Sequence, residues 1–218
     1  MKRKLHLEKI KDDWIEKLEK LPLPVDEQVE LLLIKKRVKP ATDFKIISDI
    51  WKPWKNEKLK QINKKNFNKI KGFLENSGLA IKLGKTTIVD SPFSYEKTKG
   101  KWIPAKREEF PIFVGKDKKS LDELKKAINS GKDKALGQAY GFPKSAIAAY
   151  IGTKEKISVE DLPKDIKNKE WFPFVRFAVL SKDNWKQELK TPKLWAKIVK
   201  KHSPKLYEEF IKFVKSAA

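Results

Sequence analysis

Apolar residues recur every three or four positions in the first third of the chain, and this spacing predicts helices there. A first helix is predicted over residues 5–20, and a second one follows Asp26, which can cap it. The apolar spacing between residues 44 and 50 predicts a short third helix. The clearest apolar stripe predicts a helix over 57–76 that ends at Gly78, because glycine commonly terminates helices.

The middle of the chain changes to an alternating pattern, which is typical of strands. The stretch "LAIKLGKTTIVD" at 79–90 alternates on both sides of Gly84-Lys85 and predicts a β-hairpin with a two-residue turn. Further strands are predicted at 110–115, "FPIFVG", and at 172–180, "FPFVRFAVL".

Helical patterns return in the last part of the chain. Ser120 fits the cap of a helix, and residues 135–150 predict two short helices that are broken at Gly141. Prolines directly after Thr191 and Ser203 predict the starts of the last helices. These elements predict an α+β fold that is mostly helical, with a small hairpin-based antiparallel sheet.

The change of pattern near residue 78 predicts two parts. Residues 1–78 would form a helical basic module, and residues 79–218 would form an α+β module with C-terminal helices. Because the intervening "NSG" is too short to be a linker, a single domain is the alternative.

The composition excludes several classes of site. The 218 residues include no cysteine and only two histidines, one near each end of the chain, so we predict no disulfide, no metal site and no cofactor. No run of about 18 apolar residues exists, which predicts no membrane span. The first residues lack the apolar middle of a signal peptide, which predicts a cytoplasmic protein. Abundant lysine with a single methionine is typical of a thermophilic source.

The charge is large and unevenly distributed. The chain has 51 Lys and Arg against 29 Asp and Glu, a net charge of +22. Residues 35–85 contain 15 of the basic and 4 of the acidic residues, so half of the net charge lies in less than a quarter of the chain. A uniformly lysine-rich composition would not concentrate charge in this way. The distribution therefore predicts a polyanionic partner, nucleic acid rather than a membrane surface.

Tryptophans are interleaved with the densest basic cluster. Lysine and arginine can contact phosphates, and indoles can stack on unpaired bases, although each tryptophan could instead pack in the core. The predicted nucleic-acid-binding residues are Lys35, Lys36, Arg37, Lys39, Trp51, Lys52, Trp54, Lys55, Lys60, Lys64 and Lys65.

Residues 135–150, "ALGQAYGFPKSAIAAY", carry one charge and many small side chains. The spacing of their glycines and apolar residues follows a helix-turn-helix template, so DNA binding by 135–152 is one hypothesis. The second helix would present little beyond Lys144 and Ser145 to base edges, which is too few polar groups for specific readout. We therefore predict that this segment packs inside the domain or across a homodimer. The packing residues are Gly137, Gly141, Phe142, Pro143, Ile147 and Ala148.

The stretch "LGQAYGFPKSAIAAY" resembles a segment of an archaeal family classed as a domain of unknown function. That family carries Leu-Gly, then Gly-Tyr-Pro, then a short helix that often begins with cysteines. "VKPA" at 38–41 and "FVGKD" at 113–117 resemble two further short blocks of it. Phe142 replaces the tyrosine, and Ser145-Ala146 stand where the cysteines would fall. The resemblance thus implies an archaeal source, no cysteine-based metal or redox role, and little about activity.

These patterns predict a non-enzymatic RNA-binding protein. The ribosome is the expected partner, because ribosomal RNA is abundant and dispersed basic groups suit recognition of RNA shape. A translation or ribosome-silencing factor would fit. The alternatives are a helix-turn-helix DNA-binding regulator and an RNA-modifying enzyme, although no acid pair or Ser/His/Asp pattern indicates a catalytic site.

Overall fold

One long strand organises the sheet in the computed structural model, which describes residues 13–52, 55, 57–60, 62, 64–98 and 100–216. The strands are β1 (Ala41–Lys52), β2 (Glu57–Lys60), β3 (Ala80–Leu83), β4 (Thr87–Thr98) and β5 (Lys101–Gly115). All of their pairings are antiparallel. β1 lies along one edge of β5 and carries β2 on its far side, while β4 and β3 lie one after the other along the opposite edge of β5.

Helices surround this sheet. Residues 13–19 form the described part of α1, and three further helices precede the short helices of the C-terminal half. The bounds are α2 (Val25–Lys35), α3 (Lys64–Glu75), α4 (Lys118–Ser130), α5 (Asp133–Ala139), α6 (Lys144–Tyr150), α7 (Lys164–Lys167), α8 (Trp185–Glu188), α9 (Lys190–His202) and α10 (Pro204–Ser216). A 3-10 helix spans Phe172–Phe177.

A single main core joins the sheet to helices from both ends of the chain. Phe44 of β1 and Ile112 of β5 pack with Leu32 of α2, Trp195 of α9 and Phe210 of α10, all of which are buried. A smaller apolar cluster holds α4 and α5 against the other face of the sheet. The predicted α+β class is confirmed. No separate helical module ends at residue 78, because β1 shares its sheet and its core with the second half of the chain.

Two predicted helical segments are strands. Residues 44–50 belong to β1, and the predicted helix over 57–76 begins only at Lys64, after β2. In β1 the side chains of Thr42, Phe44 and Ile46 are buried and follow a period of two. The pairing that makes this segment a strand comes from β5, about 65 residues later in the chain. The end of α3 was predicted correctly, since Gly78 has the left-handed φ of 69°.

The predicted hairpin at Gly84 does not form. β3 and β4 are strands as predicted, but they pair with β5 and not with each other. The Gly84 N–H donates to the Pro111 carbonyl at 2.8 Å. A side chain at Gly84 would place its Cβ 2.5 Å from Cγ of Pro111. Glycine is therefore required here for close approach to β5.

We expect Gly84→Val to lower the free energy of unfolding by about 1–3 kcal/mol, because the rigid Pro111 ring cannot yield. Gly72→Ala is the matched control. Gly72 lies inside α3 with open space around its Cα, so this change should stabilise the protein by about 0.5–1 kcal/mol. Urea unfolding measures both variants, and an unchanged stability of Gly84→Val would contradict the close approach.

The predicted strand at 172–180 is instead a 3-10 helix followed by extended chain. Pro173 has no N–H to donate to a strand ladder. Phe174 packs on two residues of α10, with ring centroids 5.7 Å from Tyr207 and 4.6 Å from Phe210. Aromatic packing against α10 therefore stabilises the 3-10 conformation of this segment. The apolar run in the sequence does not by itself distinguish such a segment from a buried strand.

Of the residues predicted to cap helices, only Ser203 does so. Asp26 lies within the first turn of α2 instead of capping it, and Thr191 lies inside α9. Asp117 caps α4, where its side chain accepts a hydrogen bond from the backbone N–H of Ser120 at 2.8 Å. The cap at Ser203 is confirmed, because its hydroxyl oxygen accepts from a backbone N–H in the first turn of α10.

Candidate nucleic-acid interface

One face of the sheet is buried at one end and open at the other. Phe44 lies opposite Ile112 on this face, and both are buried in the main core. Six residues along β5 from Ile112, Lys106 points to the same side, because side chains alternate along a strand. Trp51 lies directly opposite Lys106 and therefore shares its face. The face that forms the core near Phe44 thus continues as a solvent-exposed surface near Trp51.

A β-bulge directs Trp51 to this surface. The register of β1 with β5 shifts between Ile47 and Asp49. Trp51 is five positions beyond the buried Ile46, so without the additional residue it would point to the other side of the sheet. Bulges commonly redirect a side chain in this way.

We call the exposed part of this surface the open face and define it by Trp51, Ile88, Lys97, Trp102 and Lys106. Ile88 lies opposite Glu108, and Lys97 lies opposite Trp102, which places them on the same side of β5. Asp90 lies opposite Lys106 and is an acidic neighbour on the same face. The exposed fractions are 42% for Trp51, 70% for Ile88 and 63% for Trp102. Three large apolar side chains that are exposed on one sheet face form a surface suited to a partner.

The opposite side of the same strands is closed. Ala105 and Glu109, which alternate with the open-face residues of β5, are buried. Burial raises the pKa of Glu109, but the hydrogen bonds and charges of Lys45 and Arg107 outweigh this effect and hold the pKa below its ordinary value. The Lys45 Nζ lies 2.6 Å from one carboxylate oxygen of Glu109. The contrast shows that the distal sheet has one covered face and one open face.

A groove of about 320 Å³ separates the open face from α3. Phe67 of α3 meets Phe110 of β5 edge to face at 4.9 Å between ring centroids, which forms the apolar wall. Lys60 and Lys64 line the groove together with Glu108. The groove combines an aromatic wall with positive charge, the two features that hold a nucleotide.

Exposed lysines surround the open face and the groove. They are Lys55, Lys60, Lys64, Lys65, Lys85, Lys97 and Lys106. In the same region the described acidic side chains are Asp90, Glu96 and Glu108. α3 begins with Lys64 and Lys65 and has no acidic residue in its first turn. Lysines at a helix N-terminus are unfavourable because this end of the helix dipole is already positive. This first turn is therefore suited to binding an anionic partner.

The structure brings part of the predicted site together here. Trp51, Lys55, Lys60, Lys64 and Lys65 are exposed at this end of the sheet, and Lys52 is half-buried beside them. Trp54 lies outside the described residues. Trp102, Lys106 and Ile88 were not among the predicted residues, because only the register of β5 with β1 and β4 brings them to the same face as Trp51.

The other predicted binding residues lie at the opposite end of β1, about 30 Å away at the ordinary rise per strand residue. The Lys35 Nζ donates to the Ser77 carbonyl at 2.5 Å, and partial burial lowers the pKa of Lys35. Arg37 is exposed at the end of α2, and Lys36 is half-buried beside it. These residues therefore do not extend the open face.

The structure overturns the prediction for Lys39. Its side chain is buried, with 3% of the residue exposed, and it forms an ion pair with Glu30. Its Nζ also lies 5.6 Å from the ring centroid of Tyr140 and 5.9 Å from that of Trp195. A lysine held between a carboxylate and two aromatic rings cannot reach a phosphate. Its role is in the interior.

Around Lys39, polar groups form pairs inside the molecule. The Thr42 hydroxyl donates to Glu30, and the Tyr140 hydroxyl donates to Asp43. Burial, followed by this bond to Asp43, raises the pKa of Tyr140. Within the part of the chain that the structure describes, no group of three or more acidic, histidine or cysteine side chains is arranged to hold a metal ion.

Glu27 gives this region a pH dependence. Its Oε2 is buried without a described hydrogen-bond partner, and burial, followed by the charges of Asp26 and Glu30, raises the pKa of Glu27 to about 8. Between about pH 4.5 and pH 8, Glu27 therefore keeps its proton in the folded protein and has lost it in the unfolded chain. We expect the free energy of unfolding to decrease as the pH rises through this interval, because the folded state holds more protons there.

Glu27→Gln should remove most of that decrease. Urea unfolding near pH 5 and near pH 8 measures it, with the exposed Glu208→Gln as control. A variant whose stability falls with pH as steeply as that of the unmodified protein would contradict the assignment to Glu27.

The small-residue segment at 135–150 packs inside the chain. A Cβ on Gly137 would lie 2.8 Å from Cγ1 of Ile147, so glycine allows α5 and α6 to approach closely. Gly141 has a φ of 82°, and a Cβ there would lie 2.5 Å from the Pro40 ring. Phe142 contacts Trp195, with 6.1 Å between ring centroids.

The remaining residues of this segment agree with the packing interpretation. Ile147 is buried, while Pro143 and Ala148 are half-buried. Gly137, Phe142 and Ile147 also line a cavity of about 390 Å³ between the α5–α6 pair and residues 176–179. α6 exposes only Lys144 and Tyr150, which leaves few polar groups for reading base edges.

Comparison with known proteins gives no match to this chain: no family model, no curated protein and no solved structure matches it. The resemblance to the archaeal family therefore stays a prediction. Among the described helices, none is both long enough and apolar enough to cross a membrane.

Proposed function

We propose that this protein is a non-enzymatic RNA-binding protein and that the open face and the adjoining groove are its RNA-binding surface. The observation that carries the proposal is the exposure of Trp51 and Trp102 on one sheet face among lysines. Aromatic side chains on an open sheet can stack on bases, while lysines neutralise the phosphates that connect them.

The charge of the whole chain supports the same proposal. A net charge of +22 attracts polyanions over a distance, and the lysines around the open face place positive charge where the aromatic groups are.

The test is a measurement of affinity for total RNA across salt concentrations. Because phosphate contacts release bound cations, log K should fall linearly with log salt, with a slope of about −3 to −5 for five to seven lysine contacts. An affinity that does not change with salt would contradict RNA binding by this surface.

We further propose that the RNA is ribosomal, since ribosomal RNA is the most abundant RNA that such a surface meets. Sedimentation of the protein in a cell lysate, followed by sequencing of the bound nucleic acid, tests this assignment. Ribosomal fractions are the expected result, and discrete promoter DNA fragments would favour a DNA-binding regulator instead.

A further inference from the structure

We infer that the open face binds unpaired nucleotides, with Trp51 and Trp102 as two separate stacking platforms, and that duplex RNA is not its preferred ligand. This inference rests on the proposed function and specifies the class of RNA. It follows from the spacing of the two indoles, from the side chains around them and from the groove beside the open face.

The two indoles are several nucleotides apart. Trp51 lies opposite Lys106, which is four residues from Trp102 along β5. At about 3.3 Å per residue and about 4.8 Å between strands, the two positions are roughly 14 Å apart. Consecutive stacked nucleotides are separated by about 3.4 Å, so the platforms engage bases with others between them.

The surface around the two platforms carries lysines, one acidic residue and an apolar side chain. Lys106 lies beside Trp51 on the same face, with Asp90 on its other side, and Lys97 lies directly opposite Trp102. Ile88 is exposed on the neighbouring strand and provides an apolar contact for a base or a ribose. An RNA strand that runs from one indole to the other would therefore meet one lysine beside each platform.

A duplex does not fit this arrangement. The base faces of a helix are covered by their neighbours, and an exposed indole can stack only on a base that has left the stack. In a duplex the protruding rings would meet the sugar–phosphate backbone and lose their stacking partner. The groove next to the open face has room for one more splayed base against the wall formed by Phe67 and Phe110, with Lys60 and Lys64 among its lining residues.

The experiment compares a labelled oligouridine with an RNA duplex of the same length by fluorescence anisotropy at one low salt concentration. We expect the unmodified protein to bind the oligouridine at least tenfold more tightly than the duplex. Trp51→Ala and Trp102→Ala should each weaken oligouridine binding by about tenfold or more and leave duplex binding within twofold, given the measured cost of losing one stacked base.

The chain offers two controls. Trp→Phe at either position should retain most of the affinity, whereas Trp→Leu, which keeps an apolar group without a flat ring, should lose as much as Trp→Ala. Tyr150→Ala removes an aromatic side chain that is 62% exposed on a different surface, and it should change nothing. If an alanine variant melts at a lower temperature, the difference in oligouridine affinity between the Leu and Phe variants tests stacking instead.

The outcomes separate this inference from the proposed function. Equal binding of both RNAs, or tryptophan variants that bind like the unmodified protein, would overturn the inference while RNA binding itself stands. Failure of the unmodified protein to bind either RNA would overturn the proposed function.

Discussion

Replacing Lys39 by Met should lower the free energy of unfolding by about 3 kcal/mol, because it leaves the partly buried carboxylate of Glu30 without its cation. The ammonium group of Lys39 also contacts the rings of Tyr140 and Trp195, and these contacts disappear with it. Urea unfolding with a constant m-value measures the loss. RNA affinity of the folded variant should be unchanged, since the residue is buried.

The double variant Lys39→Met with Glu30→Gln is the matched control. Gln keeps an oxygen that can accept the hydrogen bond of the Thr42 hydroxyl and leaves no charge to be paired. We expect this variant to recover at least half of the lost stability. A single variant that is as stable as the unmodified protein would show that the ion pair is not a determinant of the fold.

The second large effect concerns RNA binding. Replacing Lys60, Lys64, Lys65 and Lys106 by Gln removes four exposed charges at the groove and on the open face. Each lost phosphate contact on single-stranded RNA should reduce the salt slope by about 0.7, which gives a total change of up to about three units. We expect the affinity for RNA to fall at least tenfold more than in the control, a difference of about 1.4 kcal/mol.

The matched control removes four exposed charges from helices away from the open face. Its substitutions to Gln are at Lys126 of α4 and at Lys193, Lys197 and Lys201 of α9. Both variants lose equal long-range attraction, so the difference between them measures contact. Equal losses in the two variants would mean that the protein binds RNA only as a diffuse polycation.

Short sequence patterns correctly predicted the helix ends and breaks that depend on neighbouring residues. The glycine at the end of α3, the break at Gly141 between α5 and α6 and the cap at Ser203 all follow from short-range chemistry. β1 could not be found in this way. Its apolar residues have helical as well as strand spacing, and its partner β5 lies far along the chain. Gly84 was misinterpreted for the same reason, since its requirement comes from Pro111.

The candidate site was partly predictable. The clustering of lysines with Trp51 indicated the end of the sheet where the open face lies, because neighbours in sequence on β1, β2 and α3 are also neighbours in space. Trp102 belongs to the same surface only through the register of β5 with β1 and β4. Lys39 looked like its basic neighbours, and only its burial beside Glu30 reveals a different role. Distance along the sequence was therefore a poor guide to the location of Trp102 and Lys39.

Ultraviolet crosslinking of RNA to the unmodified protein, followed by mass spectrometry of the crosslinked peptides, tests most directly whether the open face binds RNA. We expect crosslinks in the peptides that contain Trp51 and Trp102, because these exposed rings lie where bases would stack. Crosslinks confined to α9 and α10, or to the small-residue segment at 135–150, would contradict it.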